Sequence, residues 1–224
     1  MYRIVKRFLD IILAVLAIII LLPLFLTVSI ILAFTGEKEI FYFQKRVGFK
    51  NRSFFIWKFA TMVKNSPNIG TGEITLRNDP RVTPFGRFLR RTKINELPQV
   101  FNVLKGDMSI VGPRPLMQVS FDLFDEETKR NIYKVRPGIT GIASLVFRDE
   151  EKILSAADDP KLMYRSIYPY KASLETWYSR NMSFSTDVLI IFMTAWSIFF
   201  PPSPEKIDAV FKGLPPRVGF SGSL

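Results

Sequence analysis

The sequence predicts an α+β fold, mainly helical with a small β-hairpin, carried on an N-terminal re-entrant membrane helix-break-helix. Three observations predict it. Residues 11–34 carry no charge. Residues 39–59 alternate aromatic and polar side chains around Gly48 and Asn51, the period of a half-buried strand pair. The remainder reads as helical stretches cut repeatedly by proline and glycine.

The apolar run comes first. By length it could cross a bilayer, and it is too long, with no small-residue cleavage site after it, for a signal peptide. Pro23 divides it. Each arm as helix reaches about 18 Å at ~1.5 Å per residue, short of a ~30 Å hydrocarbon core, and proline bends a helix by removing a backbone donor. Arg3, Lys6 and Arg7 precede the run, while Lys38, Lys45, Arg46, Lys50 and Arg52 follow it. The positive-inside tendency draws both ends to the cytoplasm. A helix-break-helix turning at Pro23 satisfies both constraints, so residues 1–36 read as the anchor.

Residues 37–187 read as one cytoplasmic domain. Within it, 39–59 form the hairpin and 65–78 a Pro/Gly/Asn/Thr loop. Residues 84–104 form a helix bent at Pro98. Residues 124–135 form a charged helix with Asp125 as its N-cap, and 154–179 a further helix interrupted at Pro169. Residues 188–200 are an apolar helix too short to span a bilayer, either membrane-associated or buried in the core. Residues 201–224, rich in Pro, Gly and Ser, read as a tail of low order.

Composition narrows the function. Hydrophobic content of 48% with 21 Phe exceeds what one domain needs to bury, and it accompanies a net charge of +11. Basic and greasy together fit an anionic membrane surface; no nucleic-acid signature accompanies the charge, so no nucleic-acid partner is expected. The absence of Cys and His excludes disulfides, thiolate chemistry, a Ser-His-Asp triad and the usual zinc ligands. Covalent or acid–base work falls to Asp, Glu, Lys, Ser, Thr or Tyr, and any metal is a hard cation held by oxygen.

The richest chemistry lies in Asp79–Pro115, where Arg81, Arg87, Arg90, Arg91, Lys93, Lys105 and Arg114 crowd around Asp79, Glu96 and Asp107. Forked arginine donors match phosphate oxygens. Carboxylates among them can act as nucleophile, base or magnesium ligand. The wording of the stretch resembles the bacterial sugar transferases, monotopic enzymes that load a phospho-sugar onto polyprenyl phosphate. Matching pieces are Lys6-Arg7 with Asp10, Phe43-Gln44 with Arg46 and Gly48, and Lys58-Phe59 with Thr61-Met62. They continue through Asp79-Pro80-Arg81, Glu96-Leu97-Pro98-Gln99, Asn102 to Ser109, Gly112-Pro113-Arg114-Pro115 and Pro137-Gly138-Ile139-Thr140-Gly141. The likeness runs from about residue 3 to residue 200.

The resemblance implies a re-entrant anchor in the bacterial inner membrane, with the soluble domain on its cytoplasmic face and touching the inner leaflet. It implies a UDP-sugar donor, a polyprenyl phosphate acceptor, UMP as product and Mg2+ as cofactor. The same likeness implies phosphate binding by Lys58, Arg90 and Arg114. Glu96 falls at the second member of the catalytic acidic pair, with magnesium binding or support of the nucleophile as its role. The first member, an aspartate nucleophile in the family, is Asn95 here; Ala60 and Ser144 stand where the family usually carries Arg and Gln. An amide is a poor nucleophile. Three readings follow: Glu96 takes the nucleophile's role, Asn95 positions the diphosphate for direct transfer, or the chain is an inactive membrane scaffold or nucleotide-sugar-binding subunit. No motif reads sugar hydroxyls or specifies an oligomeric state.

Overall fold

The structure is a computed structural model that describes residues 2–66 and 79–217; nearly all of the predicted 65–78 loop lies outside them. Helix α1 spans Tyr2–Phe34. Lys6, Asp10, Ala14, Phe25, Val28 and Leu32 are its buried positions, recurring every three or four residues and so sharing one helix face. Ala17, Ile18, Leu21 and Leu24 continue that face partly buried, while Ile4, Phe8, Ile19, Ile20, Leu26 and Ile30 are exposed.

The sequence places a break at Pro23, and the structure carries the helix through it. Proline removes one donor and bends the axis but does not by itself end a helix held on both sides. Here Leu21 and Phe25 belong to one packed cluster with Phe59, Leu89 and Val100, and Phe25 lies 5.6 and 5.7 Å from the Phe59 and Phe101 rings.

Strands β1 (Phe41–Val47) and β2 (Ser53–Phe59) form the expected antiparallel hairpin, in register from Phe41↔Phe59 to Val47↔Ser53. Its turn passes through left-handed Lys50 and Asn51 (φ 56° and 57°). Helix α2 (Pro84–Arg91) starts at Thr83, whose hydroxyl accepts from the Gly86 N–H at 3.1 Å. The sequence bends this region once, at Pro98; the structure stops the helix earlier, because Lys93 adopts φ 60° and reverses the chain. A 3-10 turn at Ile94–Glu96 follows, and Pro98 caps the start of α3 (Gln99–Lys105), where a fixed φ costs nothing.

Strand β3 (Ser109–Val111) pairs in parallel with β4 (Gly138–Thr140). Between them lie α4 (Gln118–Phe121) and α5 (Glu126–Ile132), the latter capped by Asp125, which accepts from the Thr128 N–H at 2.9 Å. Helices α6 (Ile142–Val146), α7 (Glu150–Ser155), α8 (Pro160–Asn181) and α9 (Phe184–Phe199) follow. The interruption expected at Pro169 lies instead before Pro160, where Asp159 accepts from the N–H groups of Lys161 and Leu162. Pro169 sits inside an unbroken α8, whose inward side chains lock it to the core.

The segment read as a tail also differs. Pro204–Val210 form α10, capped by Ser203, because proline in a first helical turn behind a serine cap starts a helix rather than preventing one. Ile207 and Phe211 enter the main core with residues of α6, α8 and α9. Residues 218–224 lie outside the described residues.

Polar bonds fasten α1 to this core. The Arg7 guanidinium donates to the Val103 and Leu104 carbonyls at 2.7 and 3.0 Å, at the C-terminal end of α3 where a cation is favoured. Asp10 accepts from the Ser109 hydroxyl and the Ile110 N–H, both at 3.0 Å. Lys6 and Tyr2 both donate to Asp187 of α9 at 2.5 Å.

Candidate active site

In an antiparallel pair, residues two apart share a face. Arg46 of β1 and Lys58 of β2 therefore lie on one face of the hairpin, given that Arg46 pairs with Phe54. Asn102 of α3 clamps that hairpin from behind: its side-chain oxygen accepts from the Trp57 N–H at 2.9 Å and its amide donates to the Phe55 carbonyl at 2.7 Å. The clamp sets the 3-10 turn that carries Glu96 beside Lys58.

The opposite wall is the Gly112–Pro115 turn. Gly138 donates to the Pro113 carbonyl and Gly112 to that of Thr140, both at 2.9 Å. A Cβ on Gly138 would lie 2.1 Å from the Gly112 nitrogen, and one on Gly112 would lie 2.3 Å from the Arg136 carbonyl oxygen. Only glycine permits that approach. Arg114 is then held by its own peptide, its N–H donating to Glu175 at 2.9 Å and its carbonyl accepting from the Tyr133 hydroxyl at 2.7 Å.

These walls enclose a cleft lined by Arg46, Ile56, Lys58, Glu96, Gln99, Arg114, Pro115, Gly138 and Ile139. Glu96 is the one carboxylate in that lining. Lys58 Nζ lies 3.1 Å from its Oε1 and Arg114 Nη2 3.8 Å away. Arg46 donates to the Pro115 carbonyl at 3.2 Å and to Gln44, which fixes its guanidinium at the cleft. Burial alone would raise the Glu96 carboxyl, but Lys58, Arg114 and Lys93 hold it well below the usual carboxylate range. Burial pulls Lys58 down to about 8, with Arg46 and Arg114 adding to that and Glu96 opposing it. The result is an ionised carboxylate ringed by three cations, with more positive charge than it can neutralise. Such a ring attracts phosphate oxygens.

The structure brings together three of the sequence-predicted residues, Lys58, Glu96 and Arg114. Arg90 does not join them: it is absent from the lining and faces Glu151 of α7, with Nη2 2.9 Å from that carboxylate. Asn95 is buried, 6% exposed, and is absent from the lining; its side-chain oxygen has no hydrogen-bond partner. Arg46, Gln99 and Glu175 were not singled out as site residues from the sequence. The strand alternation that pairs Arg46 with Lys58 could have revealed the first. Glu175 becomes visible only through the fold, 61 residues from Arg114.

Among the described residues no three acidic side chains converge on one point. The site still fits Mg2+, which takes one or two protein oxygens and leaves the rest of its shell to substrate phosphates and water. Ionised Glu96 is the carboxylate available in the cleft.

Comparisons with known proteins converge on one family. A family model described as bacterial sugar transferase matches residues 1–201. A UDP-N-acetylgalactosamine-undecaprenyl-phosphate N-acetylgalactosaminephosphotransferase from Aeromonas hydrophila is 39% identical over 199 residues, covering 88% of this chain and 44% of the relative. An exopolysaccharide production protein, ExoY, from Sinorhizobium fredii is 32% identical, covering 84% of this chain and 83% of the relative. A UDP-glucose:undecaprenyl-phosphate glucose-1-phosphate transferase from Xanthomonas campestris pv. campestris is 35% identical, covering 87% and 38%. The chain thus spans less than half of the Aeromonas and Xanthomonas relatives and most of ExoY.

Proposed function

This chain belongs to the bacterial sugar transferase family, and on that premise we propose that it transfers a phospho-sugar from a UDP-sugar to polyprenyl phosphate, releasing UMP. The carrying observation is the single ionised carboxylate, Glu96, set among Lys58, Arg114 and Arg46 in one cleft. Lys58 pairs with Glu96. A diphosphate entering the ring competes for Lys58 and Arg114 and frees the carboxylate beside the phosphorus.

Two balanced steps follow. A Glu96 oxygen attacks the sugar-bearing phosphorus, the phosphoanhydride bond breaks, and UMP leaves with the bond's electrons. A polyprenyl phosphate oxygen then attacks the same phosphorus, the carboxyl–phosphate bond breaks, and Glu96 returns as carboxylate. This is covalent catalysis of the ping-pong kind. Magnesium, with Glu96 available to hold it, would neutralise charge on the diphosphate and on departing UMP. The relatives, named as transferases, lend no support to an inactive scaffold, and such a scaffold would not need an ionised, cation-ringed carboxylate.

We further propose that α1 and α9 seat the domain on the inner leaflet of the cytoplasmic membrane, with the cleft on the cytoplasmic side. Phe184, Phe192, Ile198 and Phe199 of α9 are exposed, as is the outer face of α1. Because the inner face of α1 packs on the domain from Lys6 to Leu32, the helix lies along the domain's surface. A shallow seat holds the cleft at headgroup depth, where effective concentration replaces diffusion.

The test is UMP release from a panel of UDP-sugars by detergent-solubilised full chain with Mg2+ and polyprenyl phosphate. Release is expected from wild type and to fall on the order of 10⁴-fold in Glu96→Gln. Release from neither wild type nor Asn95→Asp with any sugar of the panel would overturn the transferase reading. Full activity in Glu96→Gln would remove Glu96 as nucleophile.

A further inference from the structure

Glu175 stands outside the cleft and touches it through one residue. It lies on α8, 3% exposed, with Oε1 accepting the Arg114 N–H at 2.9 Å. Its other oxygen, Oε2, is buried without a hydrogen-bond partner. Arg114's peptide is thereby gripped from both sides, by Glu175 at the N–H and Tyr133 at the carbonyl, while its guanidinium faces Glu96.

A buried carboxylate with one oxygen unbonded is costly as an anion and cheaper as a neutral acid. The charged or titratable groups facing it are Arg114 from the turn, Lys171 from its own helix and Tyr133 after α5. Lys171 is already engaged, 2.5 Å from Glu150 of α7. Burial pushes the Glu175 carboxyl up to about 7, against the Arg114 N–H, Lys171 and the Arg114 charge. It therefore stands between its two protonation states near neutral pH.

We propose that Glu175 is a positioning residue that couples a proton to occupation of the phosphate site. It grips the Arg114 peptide through Oε1; when a nucleotide diphosphate settles on the Arg114 guanidinium, its anionic fraction takes a proton from solvent. The inference rests on the transferase reading, since that reading puts the diphosphate there. The added negative charges act on Glu175 across a buried interior, where screening is weak, and disfavour its anion. When the nucleotide leaves, Oε2 returns the proton to solvent. The neutral acid still accepts the Arg114 N–H, so the turn stays fixed throughout turnover.

Calorimetry of UDP binding to the full chain in detergent, at pH 7 in two buffers of different ionisation enthalpy, counts the protons exchanged. The terminal phosphate of UDP titrates in the same range, so the readout is the difference between wild type and Glu175→Gln. Wild type is expected to take up a fraction of a proton more than the variant at pH 7, and the difference is expected to vanish at pH 5.5. Equal proton counts at pH 7, with UDP bound by both proteins, would overturn the proposal while leaving the transferase reading intact. No UDP binding by wild type would overturn that reading and this inference with it. If Glu175→Gln fails to fold, infrared spectroscopy of wild type gives the second readout. A protonated-carboxyl band should grow when UDP is added at pH 7, and no growth overturns the coupling.

Discussion

Under the proposed reaction, a single side chain sets the pH range in which the cleft holds the diphosphate. Lys58, held down to about 8 by burial and by its cationic neighbours, loses its proton as pH rises through that value, and with it the charge that meets the diphosphate. The alkaline limb of kcat/KM is therefore expected near pH 8, and in Lys58→Arg to move beyond the accessible range, because guanidinium does not titrate in proteins. A pH–rate profile checks this; a limb unmoved by the substitution would assign it elsewhere. At this scale the sequence was informative about residue type and less so about direction. Lys58, Glu96 and Arg114 meet in one cleft. Arg90 does not, because its fate depends on Glu151, a surface carboxylate 61 positions away that no local pattern connects to it.

Elements were legible where local chemistry decides them. The hairpin, the Asp125 cap and the apolar character of α9 follow from alternation, capping and hydropathy. The parallel pairing of β3 with β4 was not, since each strand is three residues long and exists only because the other is there. Prolines misled in both directions: Pro23 and Pro169 lie within helices that tertiary packing sustains, and Pro204 opens one. Asn102 shows the same dependence on distant structure. With both ends of its amide bonded to β2, it joins α3 to the hairpin that carries Lys58. Asn102→Ala should cost about 1–3 kcal/mol, since two part-buried backbone groups lose partners. Chemical denaturation in detergent checks this. A loss under about 0.5 kcal/mol, the scale of an ordinary surface change, would mean the clamp is dispensable.

For the molecule as a whole, a greasy, basic composition with a long apolar run is read from the residues alone, while the structure adds how the apolar helix meets the domain. Because the chain has no cysteine, single Arg3→Cys and Lys38→Cys variants report the two ends of α1 against no background. Both are expected to react with an impermeant thiol reagent from the cytoplasmic face only. Labelling of one from each face would show a spanning helix and overturn the shallow seat. The docking of α1 also sets what can be cut away. Ala14 shares a cluster with Ile56, Val103 and Met108, and Phe25, Val28 and Leu32 share another with Phe59 and Leu89, while Arg7, Asp10 and Lys6 close polar ends on α3, β3 and α9. The greasy helix presents one exposed apolar face and with the other forms a wall of the domain's interior. Trimming it to obtain a water-soluble enzyme would open the interior itself, so solubility and integrity in this chain cannot be engineered as separate properties.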